Sequence, residues 1–107
     1  MRRDVFQAIA DPTRRAILGM LANDAMTPNT VAEQFGTVSR QAISKHIKIL
    51  TECQLVQQRQ AGREIYYYLD ASKLKEVDSW LDTFRQQWET RFAQLDNVLT
   101  KLKNKSS

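Results

Sequence analysis

Residues 37–50 read Thr37-Val38-Ser39-Arg40-Gln41-Ala42-Ile43-Ser44-Lys45-His46-Ile47-Lys48-Ile49-Leu50. Ser39 suits an N-cap, because its hydroxyl can accept an amide proton that the first helical turn leaves without a partner. Val38 just before the cap and Ile43 four residues into the helix occupy the two positions of a hydrophobic staple. Ile43, Ile47 and Leu50 recur at helical spacing, and Cys53 extends their apolar stripe. Arg40, Gln41, Ser44, Lys45 and Lys48 fall on the other side, a face of hydrogen-bond donors with no carboxylate among them. Alone, such a face reads as an ordinary solvated one. The flanking sequence changes that reading.

Upstream, Thr27-Pro28 places a cap before a proline at the first helical position, where the missing N–H costs nothing. Val31, Ala32 and Phe35 form the inner stripe of a short helix, and Gly36 suits the left-handed residue that closes it. Only Thr37 and Val38 then precede Ser39. Two helices joined by a short glycine-containing turn, here residues 28–53, match a helix-turn-helix, whose second helix is presented to a partner.

Downstream of Cys53 the apolar pattern alternates. Leu55–Arg59 reads as a strand, residues 60–63 as a turn, and Glu64–Leu69 as the return strand. Ile65, Tyr67 and Leu69 fall on one face, Tyr66 and Tyr68 on the other. The tyrosine run reads as strand packing, not as a platform for stacked bases. A hairpin at this place, residues 55–69, is a wing. Arg59 and Arg63 flank Gly62 at its tip, where an arginine can reach into a minor groove.

At the front, residues 4–10 read as a short helix with Val5, Phe6 and Ile9 on its apolar side. Asp11-Pro12 repeats the cap-and-proline grammar. The next helix turns Ile17, Leu18 and Leu21 inward and Arg14 and Arg15 outward, and ends at Asn23-Asp24. Residues 1–71 thus make a winged helix-turn-helix core.

Residues 72–102 read as one long helix. Leu74, Val77, Leu81, Phe84 and Trp88 alternate steps of three and four, the spacing of a coiled-coil seam. Phe92, Leu95, Leu99 and Leu102 continue it after one extra step, and Trp80 widens it. Thirty residues span ~45 Å, more stripe than a 70-residue core can cover. A second chain is therefore expected on part of it, against the alternative of a helix folded wholly onto its own domain. The tail, residues 103–107, is expected to fray. The fold class is mainly α with a small β-hairpin, in a single domain that ends in a dimerisation helix.

The 107 residues carry a net charge of +4. From Val38 to Arg63, Arg40, Lys45, Lys48, Arg59 and Arg63 stand against Glu52 alone, so this region can hold the whole excess. A mild basic excess concentrated there suits nucleic acid. One cysteine forms no disulfide within a chain, no apolar run approaches a membrane span, and Met-Arg-Arg-Asp is no secretory signal. A cytoplasmic protein with no membrane partner is expected. Enzyme chemistry finds no support. His46 and Cys53, the one base and thiol pair, lie two turns or ~10.5 Å apart on one helix, whereas a dyad needs hydrogen-bond reach, ~3 Å. His46 reads as a helix residue at the edge of the presented face, holding a phosphate or a backbone carbonyl. Cys53 reads as a small buried hydrophobe.

Taken together, Asp11-Pro12-Thr13-Arg14-Arg15 with Ile17-Leu18, Val38-Ser39 through Ala42–Leu50, and Gly62-Arg63 leading to Tyr67 and Leu69 resemble the ArsR family of bacterial winged helix-turn-helix repressors, over roughly residues 4–100. The resemblance implies a homodimer built from the first and last helices, here Val5, Phe6 and Ile9 with Val77, Trp80, Leu81, Phe84, Trp88, Phe92 and Leu95. It implies double-stranded DNA as partner, bound at an inverted repeat, and repression, often of the protein's own promoter. Arg40, Gln41, Ser44 and Lys45 match the family positions that face the major groove, beside Ser39 and His46. Arg40 suits guanine and Gln41 adenine. Ser44, Lys45 and Lys48 suit phosphates, and Arg63 with Arg59 the minor groove. The Cys-Val-Cys motif of the family's arsenic and cadmium sensors is absent. Asp78, Asp82 and Glu89 on the last helix have no imidazole beside them. No metal or cofactor is expected, the likeness is to ligand-free autorepressors, and no effector can be named. The competing reading is a winged-helix adaptor that binds protein instead of DNA.

Overall fold

Asp4, Asp11, Thr27 and Ser39 each accept a backbone N–H from three residues ahead, and each starts a helix. The computed structural model describes residues 4–105 and divides into two compact units, residues 1–75 and 76–107. In the first unit the helices are α1 (Val5–Ala8), α2 (Pro12–Asn23), α3 (Pro28–Glu33) and α4 (Arg40–Glu52). The strands β1 (Val56–Ala61) and β2 (Glu64–Leu69) follow, then a 3₁₀ turn at Ala71–Lys73 and the start of α5 (Leu74–Lys105). The architecture is a winged helix-turn-helix, as the sequence pattern requires.

The core collects one stripe from each helix. Ile17, Val31, Ile43, Leu50, Leu55 and Val56 are fully buried, with Leu18, Leu21 and Ile47 beside them. Val5, at 3% exposure, belongs to this buried set and has no surface left for a second chain, which removes it from the expected dimer contacts. Phe6, on the same short helix, keeps 36% of its surface exposed. α1 ends at Ala8, two residues short of expectation, because Ile9 and Ala10 leave the helix to reach the Asp11 cap.

Two helix ends differ from the glycine reading. α3 closes at Gln34 in the right-handed region, and Gly36 has no positive φ. Gln34 and Phe35 donate to the carbonyls of Val31 and Ala32, so i→i−3 bonds tighten the last turn and no left-handed residue is needed. The left-handed residue stands instead at the end of α4, where Gln54 has φ +64°. Leu55 N–H donates to Leu50 O at 3.0 Å and Gln54 N–H to Thr51 O at 3.0 Å, which is a Schellman closure. Leu50 and Leu55, the pair that such a closure brings together, are both fully buried.

The hairpin is longer than the alternation suggests. Ala61 pairs with Glu64, so β1 extends two residues past Arg59 and only Gly62 and Arg63 form the loop. Gly62 has φ +64°; a positive φ at the first loop position alone is the type II′ pattern, which matches the twist of the strands. A third, one-residue rung joins the sheet at Met26. Its N–H donates to Tyr67 O at 2.9 Å, and its carbonyl accepts from Tyr67 N–H at 2.7 Å. That bridge fastens the α2–α3 connection to the wing.

The second unit is helical from Glu76, and α5 as a whole, 32 residues, is ~48 Å long. Asp70 caps the turn before α5, accepting Ser72 N–H at 3.1 Å and its hydroxyl at 2.7 Å. Lys103 and Asn104, expected to fray, are helical, while residues 106–107 of the expected tail lie outside the described residues. Trp80 and Phe84 meet edge to face with centroids 5.0 Å apart, and Phe84 and Trp88 stack at 6.5 Å. Trp80 is 51% exposed, Phe92 67%, and Trp88, Leu95, Val98, Leu99 and Leu102 are similarly open. Val77, Leu81 and Phe84 are half-buried. The doubled step of four at Trp88–Phe92 offsets the drift of ~20° per heptad and keeps the stripe on one side of a straight helix.

A side chain at a left-handed position carries a steric cost that glycine lacks. Gln54→Gly is therefore expected to stabilise the protein by about 0.5–1 kcal/mol in urea unfolding. A loss of stability would contradict the closure.

Candidate nucleic-acid interface

α4 turns about 100° per residue, and its two sides separate cleanly. Ile43, Ile47, Ile49, Leu50 and Cys53 are buried. Arg40, Gln41, Ser44, Lys45 and Lys48 are exposed on the opposite arc. None of Arg40, Lys45, Lys48 or Arg63 is in an ion pair among the described residues. The Ser39 hydroxyl accepts Ala42 N–H at 3.1 Å, so its part is to cap the helix. Glu52, also exposed, brings a carboxylate to the end of the same arc, beyond Lys48. Ser44, Lys48, Thr51 and Glu52 line a cleft of about 360 Å³ with Gln58 and Tyr67 of the wing. The helix and the wing thus share one cleft.

The wing's two arginines part company. Strand pairing sets Gln58 opposite Tyr67 and Arg59 opposite Tyr66. Successive strand residues point to opposite faces. Gln58 and Tyr67 therefore face the cleft beside α4, whereas Arg59 and Tyr66 face away from it. Arg63 sits in the exposed two-residue loop, whose Gly62 carbonyl accepts from the Gln60 amide at 3.3 Å. Arg63 is the wing-tip cation; Arg59 belongs to the outer face.

His46 is not at the edge of the presented arc. It stands three residues from both Ile43 and Ile49 and four from Ala42 and Leu50, which puts it on the packed side. Its ring is half-buried, with Nδ1 3.4 Å from the Arg14 guanidinium and 3.9 Å from the Asp11 carboxylate. Asp11 accepts Arg14 N–H at 3.0 Å. That backbone hydrogen bond, with the His46 and Arg14 charges, holds the Asp11 carboxyl below its ordinary value of 3.8 against a smaller effect of burial.

Arg14 and Arg15 have a role that outward-facing cations did not suggest. Arg14 Nε donates to Ala8 O at 2.6 Å and Nη2 to Gln7 O at 3.0 Å. Arg15 Nη1 donates to Ile9 O at 2.8 Å and Ala10 O at 3.1 Å. Together they occupy the Ala8, Ile9 and Ala10 carbonyls at the end of a four-residue helix and add a second donor to Gln7 O, which already accepts Ala10 N–H at 3.3 Å. Asp11, Arg14 and His46 therefore join the ends of α1 and α2 to the packed side of α4. On α5, Asp78 and Asp82 both bind Arg85. Among the described residues no group of three or more His, Cys, Asp or Glu is placed to hold a metal ion. No described helix is long and apolar enough to cross a membrane.

A short capped helix, a second helix with a carboxylate-poor cationic arc, and a two-stranded wing define a DNA-binding transcription regulator. Residues 9–59 match the helix-turn-helix domain family. The chain is 38% identical to the transcriptional repressor SdpR of Bacillus subtilis over 76% of its own length and 89% of that protein's. It is 40% identical to the HTH-type transcriptional regulator Rv2034 of Mycobacterium tuberculosis, over 84% and 83%. It superposes on an ArsR-like transcriptional regulator from Rhodococcus sp. RHA1 with a TM-score of 0.65 and 34% identity, covering 88% of each chain. The chain belongs to the ArsR family of transcriptional regulators, and these relatives are transcriptional repressors and regulators.

Losing an N-cap costs about 1 kcal/mol, and Asp11→Ala is expected to show this at neutral pH. Because the folded Asp11 pKa is lowered, its contribution is present above 3.8 and fades as the pH falls through the folded value. The gap between wild type and variant in urea unfolding should narrow as the pH is lowered below 3.8. An undiminished gap there would contradict the cap's role.

Proposed function

We propose that the protein is a homodimeric repressor that binds an inverted repeat in a promoter, its own or its operon's, and excludes RNA polymerase from it. The observation that carries this reading is the exposed arc of α4, where Arg40, Lys45 and Lys48 keep their charges uncommitted beside Gln41 and Ser44. Arg40 and Gln41, in the first turn, suit bidentate reading of guanine and adenine in the major groove. Ser44, Lys45 and Lys48 suit phosphates, which set register without reading sequence. Arg63 at the wing tip suits the adjacent minor groove. Glu52 favours cytosine N4 where it meets a base and weakens binding where it meets a phosphate.

The second chain is assigned to the open stripe of α5, Trp80, Trp88, Phe92 and Leu95 with Val77, Leu81 and Phe84, and to Phe6 of α1 and Ile9 just after it. An exposed contiguous stripe of this kind is rare on a monomer and marks an interaction surface. Two recognition helices so joined would read half-sites ~34–36 Å apart. Such a regulator works in the cytoplasm. The competing adaptor reading requires no preference for any duplex.

Two sets of variants test these assignments. Arg63→Ala should weaken binding to operator and random duplex alike. Gln41→Ala should lower operator binding by about 1–3 kcal/mol with little change on random duplex; equal losses on both would remove Gln41 as a base reader. In sedimentation, joint replacement of Trp80 and Trp88 by alanine should shift dimer toward monomer, and an unchanged dimer would move the interface elsewhere.

A further inference from the structure

The outer face of the wing carries a hollow of about 550 Å³, lined by Ala25, Arg59, Ala61, Tyr66 and Tyr68. Its size lies within the ~300–1,000 Å³ of small-molecule sites. Two tyrosines and two alanines line it, and among the described lining residues only Arg59 carries a charged side chain. Strand register places Arg59 directly across from Tyr66 and diagonally from Tyr68, on the face turned away from the α4 cleft. A carboxylate of that face, Glu64, accepts the Tyr66 hydroxyl at 3.0 Å. Arg59 is in no ion pair among the described residues.

We propose that this hollow binds a small aromatic carboxylate. The guanidinium supplies a fork for the carboxylate's two oxygens. The tyrosine rings and alanine methyls supply the apolar walls that a flat ring needs. A neutral ligand would leave the guanidinium uncompensated, and a purely aliphatic acid would leave the rings unmatched. A dianion would meet Glu64 at the rim. The site stands apart from the polar arc of α4, so it does not depend on how DNA is read.

The test is a titration of the isotope-labelled full-length protein with 2-naphthoate, followed by amide NMR shifts, with 2-naphthamide as the uncharged control. Saturable shifts confined to Ala25, Arg59, Ala61, Tyr66, Tyr68 and their neighbours are expected. Naphthamide should bind about tenfold or more weakly, the effect of losing a charged hydrogen-bond partner. Arg59→Gln should abolish the naphthoate preference while leaving the remaining spectrum in place, and Lys45→Ala should not affect it. Four results would overturn the proposal: no saturable shift up to the solubility limit, shifts centred elsewhere, equal affinity for acid and amide, or undiminished naphthoate binding by Arg59→Gln. Shifts of these same amides with duplex DNA but not with naphthoate would overturn it too, and would return Arg59 to the DNA surface.

Discussion

Ile43 and Leu50 are fully buried and Ile47 nearly so, all on one side of α4. Each such burial stabilises by about 1.5–3 kcal/mol, and together they fix the rotation of the helix about its own axis. A turn of one residue, about 100°, would bring Ser44 into the core and Ile43 into water. No contact that Arg40 or Lys45 makes on the surface approaches that cost, since exposed charge pairs are worth about 0–1 kcal/mol. The core therefore decides which side chains a partner meets.

The rest of the first unit holds that helix in place through its ends. Ser39 caps the start, and the left-handed Gln54 closes the finish and turns the chain into β1. The Asp11–Arg14–His46 cluster reaches the packed side of α4 from the start of α2, while the same Arg14 holds the carbonyls of α1. α1 is too short to stand on propensity alone, so its position follows from these two arginines and from buried Val5 and Ala8. Any partner that grips Phe6 thus meets a segment hydrogen-bonded to a residue in contact with the recognition helix.

Much of this was legible in the residues because the signals were local. Caps at Asp11, Thr27 and Ser39 depend on one hydroxyl or carboxylate and a following amide, and the alternation of Val56 to Leu69 depends only on neighbours. Most of what the residues hid depends on contacts distant along the chain. His46 looked like a surface residue by type, yet its place between Ile43 and Ile49 puts it against α2. Arg14 and Arg15 looked solvated because nothing in their own helix reveals the carbonyls of Gln7 to Ala10 that they bind. Gly36 looked like a helix closer because glycine favours left-handed backbone, but i→i−3 bonds closed α3 and the strained position fell to Gln54. Arg59 goes with Arg63 to the wing tip in the sequence, and register places it on the outer face instead. The Met26 rung had no signal at all, since one residue carries no periodicity.

The central claim is that the uncommitted cations of α4 and the wing bind promoter DNA with sequence preference. The measurement that tests it most directly is fluorescence anisotropy of the protein against a duplex of its own upstream region and a scrambled duplex, over a range of salt. With Lys45 and Lys48 of both subunits on phosphates, the log–log salt slope should be on the order of −4. Binding to the upstream duplex should be ~10³-fold or more tighter than to the scrambled one. Weak binding equal on both duplexes would contradict the account for that promoter, and the same result across a random-sequence selection would contradict it altogether.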